Sequence, residues 1–294
     1  MKDRLYQPTV LRALMDRHTI RAKKGFGQNF LIDRHALEEI IDAVCGDDDA
    51  AQCSVLEVGP GLGTLTQALC EEGFAKVLTI EKDTSLVPIL QETLGDYDNV
   101  DVHFGDALSM DLEPILAKAP AGSNLCFAAN LPYYITTPLL MRFLEAHVPF
   151  RRMVIMVQKE VAQRLTAHAG TKEYGAITVA VQYYATPRIV TIVPAGSFMP
   201  KPNVDSAVVA LAMKEQRPLA ENPQAEILFF RVVKAAFAMR RKTLHNALRA
   251  EFSHLGKEGV QAWLGSAMID PQRRGETLTL EEFLYLTNKF PIME

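Results

Sequence analysis

The chain has 294 residues, of which 48% are hydrophobic and 22% charged, and its formal net charge at pH 7 is -4. This length can bury a full core, and the absence of long Gly, Ser or Pro tracts argues against a largely disordered chain. Charged residues near the N-terminus argue against a signal peptide, and no stretch reaches the roughly 20 apolar residues needed to span a bilayer. We therefore expect a cytoplasmic protein that has no membrane partner.

Strands alternate with helices over the first half of the sequence. Asp33 is the predicted N-cap of a helix, and the apolar runs beyond it predict strands at 55–58, 77–80, 100–104, 125–129 and 153–157. Because parallel strands need crossover connections, this alternation predicts a doubly wound α/β sheet covered on both faces. Ligands bind such sheets beyond the carboxyl ends of the strands, which here carry residues 57–63, Glu81, Asp106 and Asn130.

The pattern changes at about residue 176. Apolar runs at 176–184, 188–193 and 208–212 predict antiparallel strands that close one side of the sheet. A polar stretch with two prolines, 214–224, predicts a linker, and helices are predicted beyond it at 226–250, 260–264 and 280–288. We therefore expect an α/β domain over 1–213, with residues 1–24 as an N-terminal arm or lid, and a small all-α domain over 214–294.

A glycine loop follows the first predicted strand. Gly59, Gly61 and Gly63 can adopt positive φ and let a ligand approach the backbone closely, which suits a cofactor loop. A Walker A phosphate loop is excluded because no Gly-Lys-Ser/Thr follows. A dinucleotide fingerprint would have glycine at position 64, where Thr64 stands.

Acidic residues at two further strand ends suit the nucleoside half of a cofactor. Glu81 can accept both ribose hydroxyls, a role that nicotinamide and S-adenosylmethionine sites share. Asp106 follows the third strand, where its carboxylate can accept the exocyclic amine of adenine. Each acid alone is more often a helix cap or a surface residue, but the glycine loop and both acids together favour S-adenosylmethionine.

The motif Asn130-Leu131-Pro132-Tyr133 ends the fourth predicted strand. The lone pair of an aromatic amine is delocalised into its ring, so methyl transfer to that amine needs acceptors that favour a pyramidal nitrogen. The Asn130 side-chain oxygen and the Leu131 carbonyl can accept the two hydrogens of an adenine N6 amine. Pro132 fixes the turn, and Tyr133 offers a stacking face for a base flipped out of its stack. A strand-to-helix turn with a packed tyrosine would show the same residues.

These motifs resemble those of the rRNA adenine N6,N6-dimethyltransferases, a family of class I S-adenosylmethionine-dependent methyltransferases with a Rossmann-like α/β domain that acts on the small ribosomal subunit. The resemblance extends over nearly the whole chain. It rests on GQNFL at 27–31, EVGPG at 57–61, IE at 80–81, GDA at 105–107, NLPY at 130–133, QKEV at 158–161, FMPKP at 198–202, DSA at 205–207, AF at 236–237 and RRKTL at 240–244.

The resemblance implies a role for each motif. S-adenosylmethionine, the cosubstrate of a reaction that uses no metal, would be contacted by Gln28, Asn29, Leu31, Gly59, Glu81, Asp106 and Asn130, with Gly61 shaping the same loop. The substrate would be two adjacent adenines in a hairpin near the 3′ end of small-subunit (16S) rRNA, each dimethylated within a pre-small-subunit particle by a monomeric enzyme. Phe198 would form the wall of the base pocket opposite Tyr133, although a buried strand-end aromatic fits the same pattern.

Two basic clusters interrupt the acidic composition. Residues 1–30 carry seven Lys or Arg against two Asp, and residues 226–250 carry six against one Glu. One such run is typical of a solvated helix face, but two in an acidic protein favour a polyanion-binding surface. We expect RNA phosphates to be held by Lys23, Lys24, Arg240, Arg241 and Lys242.

Three other functions fit part of the pattern. An erythromycin-resistance-type methylase of large-subunit rRNA shares the motif set, but the stretches at 198–207 and 240–244 favour the small-subunit group. A noncatalytic ribosome-assembly factor could keep the same fold, although the intact motif at 130–133 favours activity. A nicotinamide oxidoreductase is disfavoured by Thr64 and by the Asn130 motif.

Overall fold

A computed structural model describes residues 4–21, 28–133, 135–239 and 241–291. Contacts between residues divide the chain into two units, which we call the sheet unit and the helical unit. The sheet unit comprises Met1–Ala162 and Arg188–Met213, and the helical unit comprises Gln163–Pro187 and Lys214–Glu294. Residues 163–187, which the sequence analysis assigned to the first domain, are grouped with the helical unit by these contacts.

The sheet unit begins with a helix and alternates strands with helices up to residue 162, which lies within the last helix of this series. Its elements are α1 (Pro8–Arg17), β1 (Phe30–Leu31), α2 (Arg34–Cys45), β2 (Cys53–Val58), α3 (Thr64–Glu72), β3 (Lys76–Glu81), α4 (Val87–Leu94), β4 (Val100–Phe104), α5 (Glu113–Leu116), β5 (Asn124–Asn130), α6 (Thr136–Glu145), β6 (Arg152–Gln158) and α7 (Lys159–Leu165). Three strands follow later in the chain: β7 (Ala185–Val193), β8 (Phe198–Met199) and β9 (Ser206–Met213).

Seven strands form one mixed sheet in the order β4-β3-β2-β5-β6-β9-β7. The first five are parallel to one another, and β9 runs antiparallel to β6 with Ile155 opposite Val209. The five strands predicted from alternation are confirmed, as are strands at 188–193 and 208–212. Because β2, β3 and β5 are parallel neighbours, the residues that follow their carboxyl ends lie at one edge of the sheet.

Burial explains why these segments form a two-sided sheet. Every residue of β2 is buried, as expected for a strand covered on both faces. The Asp33 side chain accepts a hydrogen bond from the Ala36 N–H at 3.2 Å and so caps α2, as predicted. Within the N-terminal segment, Leu11 and Leu14 of α1 are buried in a cluster that includes Leu90 of α4. Helix α1 therefore packs on the sheet unit.

The helical unit consists of α8 (Ala176–Tyr184), α9 (Pro223–Ala238), α10 (Leu244–Glu251), α11 (Gly256–Ser266) and α12 (Leu280–Asn288), with the end of α7. The helices predicted at 226–250, 260–264 and 280–288 are confirmed, the first in two pieces. Trp263 Nε1 donates to the Leu286 carbonyl at 2.8 Å and joins α11 to α12. Among the residues that the structure describes, none of the helices is both long enough and apolar enough to cross a membrane.

The strand predicted at 176–184 is wrong, because this segment is the helix α8. Its β-branched residues favour a strand only weakly, since helix propensities of ordinary residues differ by less than about 1 kcal/mol. Packing outweighs that preference: Tyr183 is fully buried, with its ring centroid 5.0 Å from that of Phe229 and 5.1 Å from that of Phe230. Thr178 Oγ1 also donates to the Arg164 carbonyl at 2.6 Å.

Gly275 packs against α9 too closely to carry a side chain. A Cβ at this position would lie 2.6 Å from the Ala236 carbonyl oxygen. We predict that Gly275→Ala lowers the free energy of unfolding by about 1–3 kcal/mol, the usual cost of overpacking. The matched control is Gly265→Ala in α11, where a Cβ meets nothing within 4 Å; removing a helical glycine should stabilise by up to about 1 kcal/mol. Calorimetric unfolding measures both, and equal midpoints would contradict the prediction.

Candidate active site

One cleft at the carboxyl ends of the strands of the sheet unit encloses about 1070 Å³ of space, including its open mouth. The structure brings together in its lining all the predicted cofactor-binding residues and all the predicted residues around the acceptor base. They are Gln28, Asn29, Leu31, Gly59, Gly61, Glu81, Asp106, Asn130, Leu131, Pro132, Tyr133 and Phe198.

The glycine loop and Glu81 are hydrogen-bonded to each other. Gly59 and Gly61 have φ of 75° and 60°, in the left-handed region that glycine enters without strain. The Gly61 N–H donates to Glu81 Oε2 at 3.2 Å, and the Asp83 N–H donates to Glu81 Oε1 at 2.7 Å. A Cβ on Gly61 would also lie 3.1 Å from the Phe30 ring. The carboxylate predicted to bind the ribose therefore has a fixed position.

Two carboxyl groups are buried at this edge of the sheet. Glu81 is 6% exposed, and burial raises its pKa although the Asp83 and Gly61 N–H groups partly offset the shift. Glu57, on β2, is 1% exposed, and burial raises its pKa to about 8. The Thr66 hydroxyl donates to Glu57 Oε2 at 2.7 Å. Glu57 is therefore mostly protonated at neutral pH.

Asp106 has the opposite electrostatic environment. Lys82 Nζ lies 2.7 Å from Asp106 Oδ2, and the Leu108 N–H donates to Oδ1 at 2.9 Å. The hydrogen bond from Lys82 is the main cause that lowers the pKa of Asp106. An ionised carboxylate is an acceptor only, which suits recognition of an exocyclic amine.

The Asn130 motif presents an amide and an aromatic ring at the same cleft. Asn130 Nδ2 donates to the Asn29 carbonyl at 3.3 Å, so the nitrogen of the amide is held by the protein and its oxygen is the acceptor of the group. The Tyr133 hydroxyl lies 3.0 Å from Ser206 Oγ on β9, which fixes the tilt of the tyrosine ring. Both side chains therefore have defined orientations before a base enters.

A two-stranded sheet brings residues 28–31 next to Phe198. Strand β1 pairs antiparallel with β8, with Leu31 opposite Phe198, and Gln28 Nε2 donates to Asp83 Oδ2 at 3.2 Å. Phe198 is 4% exposed, so it is both a buried strand-end aromatic and part of the cleft lining. Its role as the wall opposite Tyr133 stays a prediction.

Other residues that line the cleft were not assigned by the sequence analysis, among them Lys82, Leu108, Ile135 and Leu139. Two signals could have identified three of these four residues. Lys82 directly follows Glu81, and Ile135 and Leu139 lie four residues apart at the start of the helix after the Asn130 motif, so they share a helical face.

The predicted RNA-binding residues divide into two groups. Lys23, Lys24 and Arg240 lie outside the described residues, whereas Arg241 and Lys242 are exposed on the turn between α9 and α10 of the helical unit. In the N-terminal basic cluster, Arg4 forms an ion pair with Glu71, and Arg17 with Glu92. Because these two acids lie outside residues 1–30, the count of charges within that segment overestimates the local positive charge.

The chain matches the protein family described as ribosomal RNA adenine dimethylase over residues 19–290. It is 46% identical over 287 residues to the ribosomal RNA small subunit methyltransferase A of Alkaliphilus metalliredigens, with 98% of each chain covered. It is 43% identical over 284 residues to the protein of the same name from Geobacillus kaustophilus, which covers 96% of this chain and 95% of the relative.

Two crystal structures are similar over most of the chain. A dimethyladenosine transferase from Plasmodium falciparum superposes with a TM-score of 0.69 at 27% identity and covers 87% of this chain and 95% of its own. The 23S rRNA methyltransferase ErmE superposes with a TM-score of 0.68 at 25% identity and covers 89% of this chain and 99% of its own. These matches confirm the predicted class I methyltransferase fold.

Burial of Glu57 should make stability depend on pH. Its pKa rises from 4.5 to about 8 in the folded protein, so the stability contributed by the protonated carboxyl is present below pH 4.5 and is lost as the pH rises through about 8. Glu57→Gln stays neutral and can still accept from Thr66. We predict that this variant gains free energy of unfolding relative to wild type between about pH 5 and pH 8. Urea unfolding across that range measures the difference, and a constant difference would contradict the prediction.

Proposed function

The chain belongs to the ribosomal RNA adenine dimethylase family and is an S-adenosylmethionine-dependent rRNA adenine methyltransferase; we propose that it dimethylates N6 of two adjacent adenines in a hairpin near the 3′ end of small-subunit (16S) rRNA. The observation that carries the proposal is that Glu81, Asp106 and the Asn130–Tyr133 motif line one cleft. We propose that it acts as a monomer in the cytoplasm, on the rRNA of a pre-small-subunit particle.

The nucleoside of the cosubstrate would be held by two carboxylates with different environments. Glu81 is fixed by the Gly61 and Asp83 N–H groups, and an ionised Glu81 can accept the ribose hydroxyls. Asp106, whose pKa is lowered by Lys82, can accept the adenine amine. Gln28, Asn29, Leu31 and the glycine loop would complete this site.

The acceptor adenine would be held by the Asn130 motif. S-adenosylmethionine supplies a methyl group on a sulfonium, an activated donor that requires no metal for transfer. The Asn130 side-chain oxygen and the Leu131 carbonyl would accept the N6 hydrogens and raise electron density on the nitrogen. Tyr133, oriented by Ser206, and Phe198 would hold the faces of the base. No strong general base is needed, since the proton is lost from an amine that becomes acidic as it is methylated.

Sequence similarity favours the small subunit over the large one as target. The similar structures include both a dimethyladenosine transferase and a 23S rRNA methyltransferase, so the fold does not separate these substrates. The curated relatives with 43% and 46% identity are small-subunit methyltransferases matched over nearly their whole length. Identity over both units, including the helical one, supports the same target here.

The proposal predicts methyl transfer to unmethylated small ribosomal subunits. Wild-type protein should give dimethyladenosine at two adjacent positions, and Asn130→Ala should lower the rate about 10²–10³-fold, the cost of removing one donor or acceptor aimed at the reacting group. Asn124→Ala, at the opposite end of the same strand β5, is the matched control and should retain activity. Labelled S-adenosylmethionine and mass spectrometry of the digested RNA measure the products.

Each alternative gives a different result in that assay. Transfer to large subunits alone would indicate an erythromycin-resistance-type methylase. Transfer to neither subunit, with RNA still bound, would indicate a noncatalytic assembly factor. Either result would reject the proposed function.

Charge reversal at Arg241 and Lys242 should weaken RNA binding and its dependence on salt. Both side chains are exposed, and losing two phosphate contacts should reduce the slope of log affinity against log salt by about 2. Reversal of Lys257 and Lys289, also in the helical unit, changes the net charge equally and is the control. Binding to a small-subunit rRNA hairpin fragment at several salt concentrations measures the slope. Equal slopes for the two double variants would contradict a specific role of Arg241 and Lys242.

A further inference from the structure

Helix α6 contacts both the cleft and the loop that carries Asp106. It begins directly after the Asn130 motif, and Ile135 and Leu139 at its start line the cleft. Arg142 follows Leu139 by three residues, so it lies on the same side of the helix. Its guanidinium donates from Nη1 to the Ala107 carbonyl at 2.6 Å and from Nη2 to the Met110 carbonyl at 2.5 Å.

These two carbonyls belong to a loop, residues 105–110, that folds back on Asp106. The Asp106 carbonyl accepts from the Ser109 and Met110 N–H groups, each at 2.9 Å. The Asp106 side chain accepts from the Leu108 N–H within the same loop. Ala107 and Leu108 line the cleft beside Asp106, so the shape of this loop determines where an adenine ring can lie.

We infer that Arg142 is a positioning residue for the adenine end of the cosubstrate, because it holds the Ala107 and Met110 carbonyls and thereby fixes the loop on which Asp106 stands. The inference rests on the proposed function, in which Asp106 accepts the adenine amine. It adds a residue that is not part of the lining of the cleft.

Arg142 constrains this loop from outside at two points of its backbone. The ion pair of Asp106 with Lys82 joins side chains that are 34% and 57% exposed, and exposed pairs contribute little to order. Arg142 instead makes two short charge-assisted bonds from a planar group to two points of the backbone, a geometry that fixes both distance and direction. The positive charge of Arg142 also helps to lower the pKa of Asp106.

The test compares two ligands that differ at the position Asp106 would recognise. S-adenosylhomocysteine carries the amine that Asp106 accepts, whereas S-inosylhomocysteine has a carbonyl oxygen there, which the carboxylate repels. Wild-type protein should bind the adenine ligand more tightly. Arg142→Met should weaken that ligand about tenfold, the equivalent of one charge-assisted hydrogen bond, and leave the inosine ligand nearly unchanged. Arg142→Lys keeps the positive charge but loses the planar pair of donors, so its affinity for the adenine ligand should lie between those of wild type and Arg142→Met. Calorimetric titration of the full chain measures the affinities.

Arg152→Met is the matched control. Arg152 also donates to two backbone carbonyls, those of Val44 and Cys45, but it lies at the amino end of β6, away from the cleft. Arg152→Met should lower the unfolding midpoint but leave the ratio of the affinities for the adenine and inosine ligands as in wild type. A ratio in Arg142→Met that equals that of wild type or of Arg152→Met would overturn the inference. If wild-type protein itself did not distinguish the two ligands, the assignment of Asp106 would fail, and the inference with it.

Discussion

Backbone amides that converge on Glu81 hold the strand ends of the cleft in one arrangement. The carboxylate of Glu81 accepts from Gly61 after β2 and from Asp83 after β3. The backbone carbonyl of Glu81 accepts from the N–H of Gly105, after β4, at 2.9 Å. The Gly59 N–H donates to the backbone carbonyl of Ile80, the residue before Glu81, at 3.0 Å. Three successive strand ends are therefore connected through one residue. These hydrogen bonds fix the spacing between the glycine loop and the loop that carries Asp106.

Holding a carboxylate at the centre of a buried site has an electrostatic cost. Glu57 and Glu81 lie close enough that each charge disfavours the other, and desolvation adds to this penalty. Burial raises the pKa of Glu57 to about 8 and so removes one of the two charges at neutral pH, although the hydrogen bond from the Thr66 hydroxyl favours the ionised form. A neutral Glu57 places no second negative charge beside an ionised Glu81. The burial that makes Glu57 neutral would thus help Glu81 to act as the proposed acceptor for the ribose hydroxyls.

The sequence predicts the parts of this site that depend on local pattern and not those that depend on distant contacts. Glu81, Asp106 and Asn130 end apolar strands, so their position at one edge follows from the alternation of strands and helices. The pairing of β1 with β8 joins residues 31 and 198, and nothing in either dipeptide indicates its partner. For the same reason the role of Arg142 could not be predicted, because its bonds to Ala107 and Met110 join residues more than 30 positions apart. Helix α8 was missed because burial of Tyr183 against Phe229 outweighs the strand preference of its β-branched residues.

The cleft alone does not determine which ribosomal RNA the protein selects. The structures of a dimethyladenosine transferase and of a 23S rRNA methyltransferase resemble this chain almost equally, so the shared fold does not identify the RNA, and we assign its selection to residues outside the cleft. The turn between α9 and α10 suits that task. The Leu244 N–H donates to the Arg273 carbonyl at 2.7 Å, and the Lys242 N–H donates to the Met239 carbonyl at 2.9 Å. If Arg241 and Lys242 hold RNA phosphates as proposed, these backbone hydrogen bonds at residues 242 and 244 reduce the freedom that the two residues would lose on binding. On the proposed function, selection of the target would depend on the charge that the helical unit presents, separately from the chemistry of the cleft.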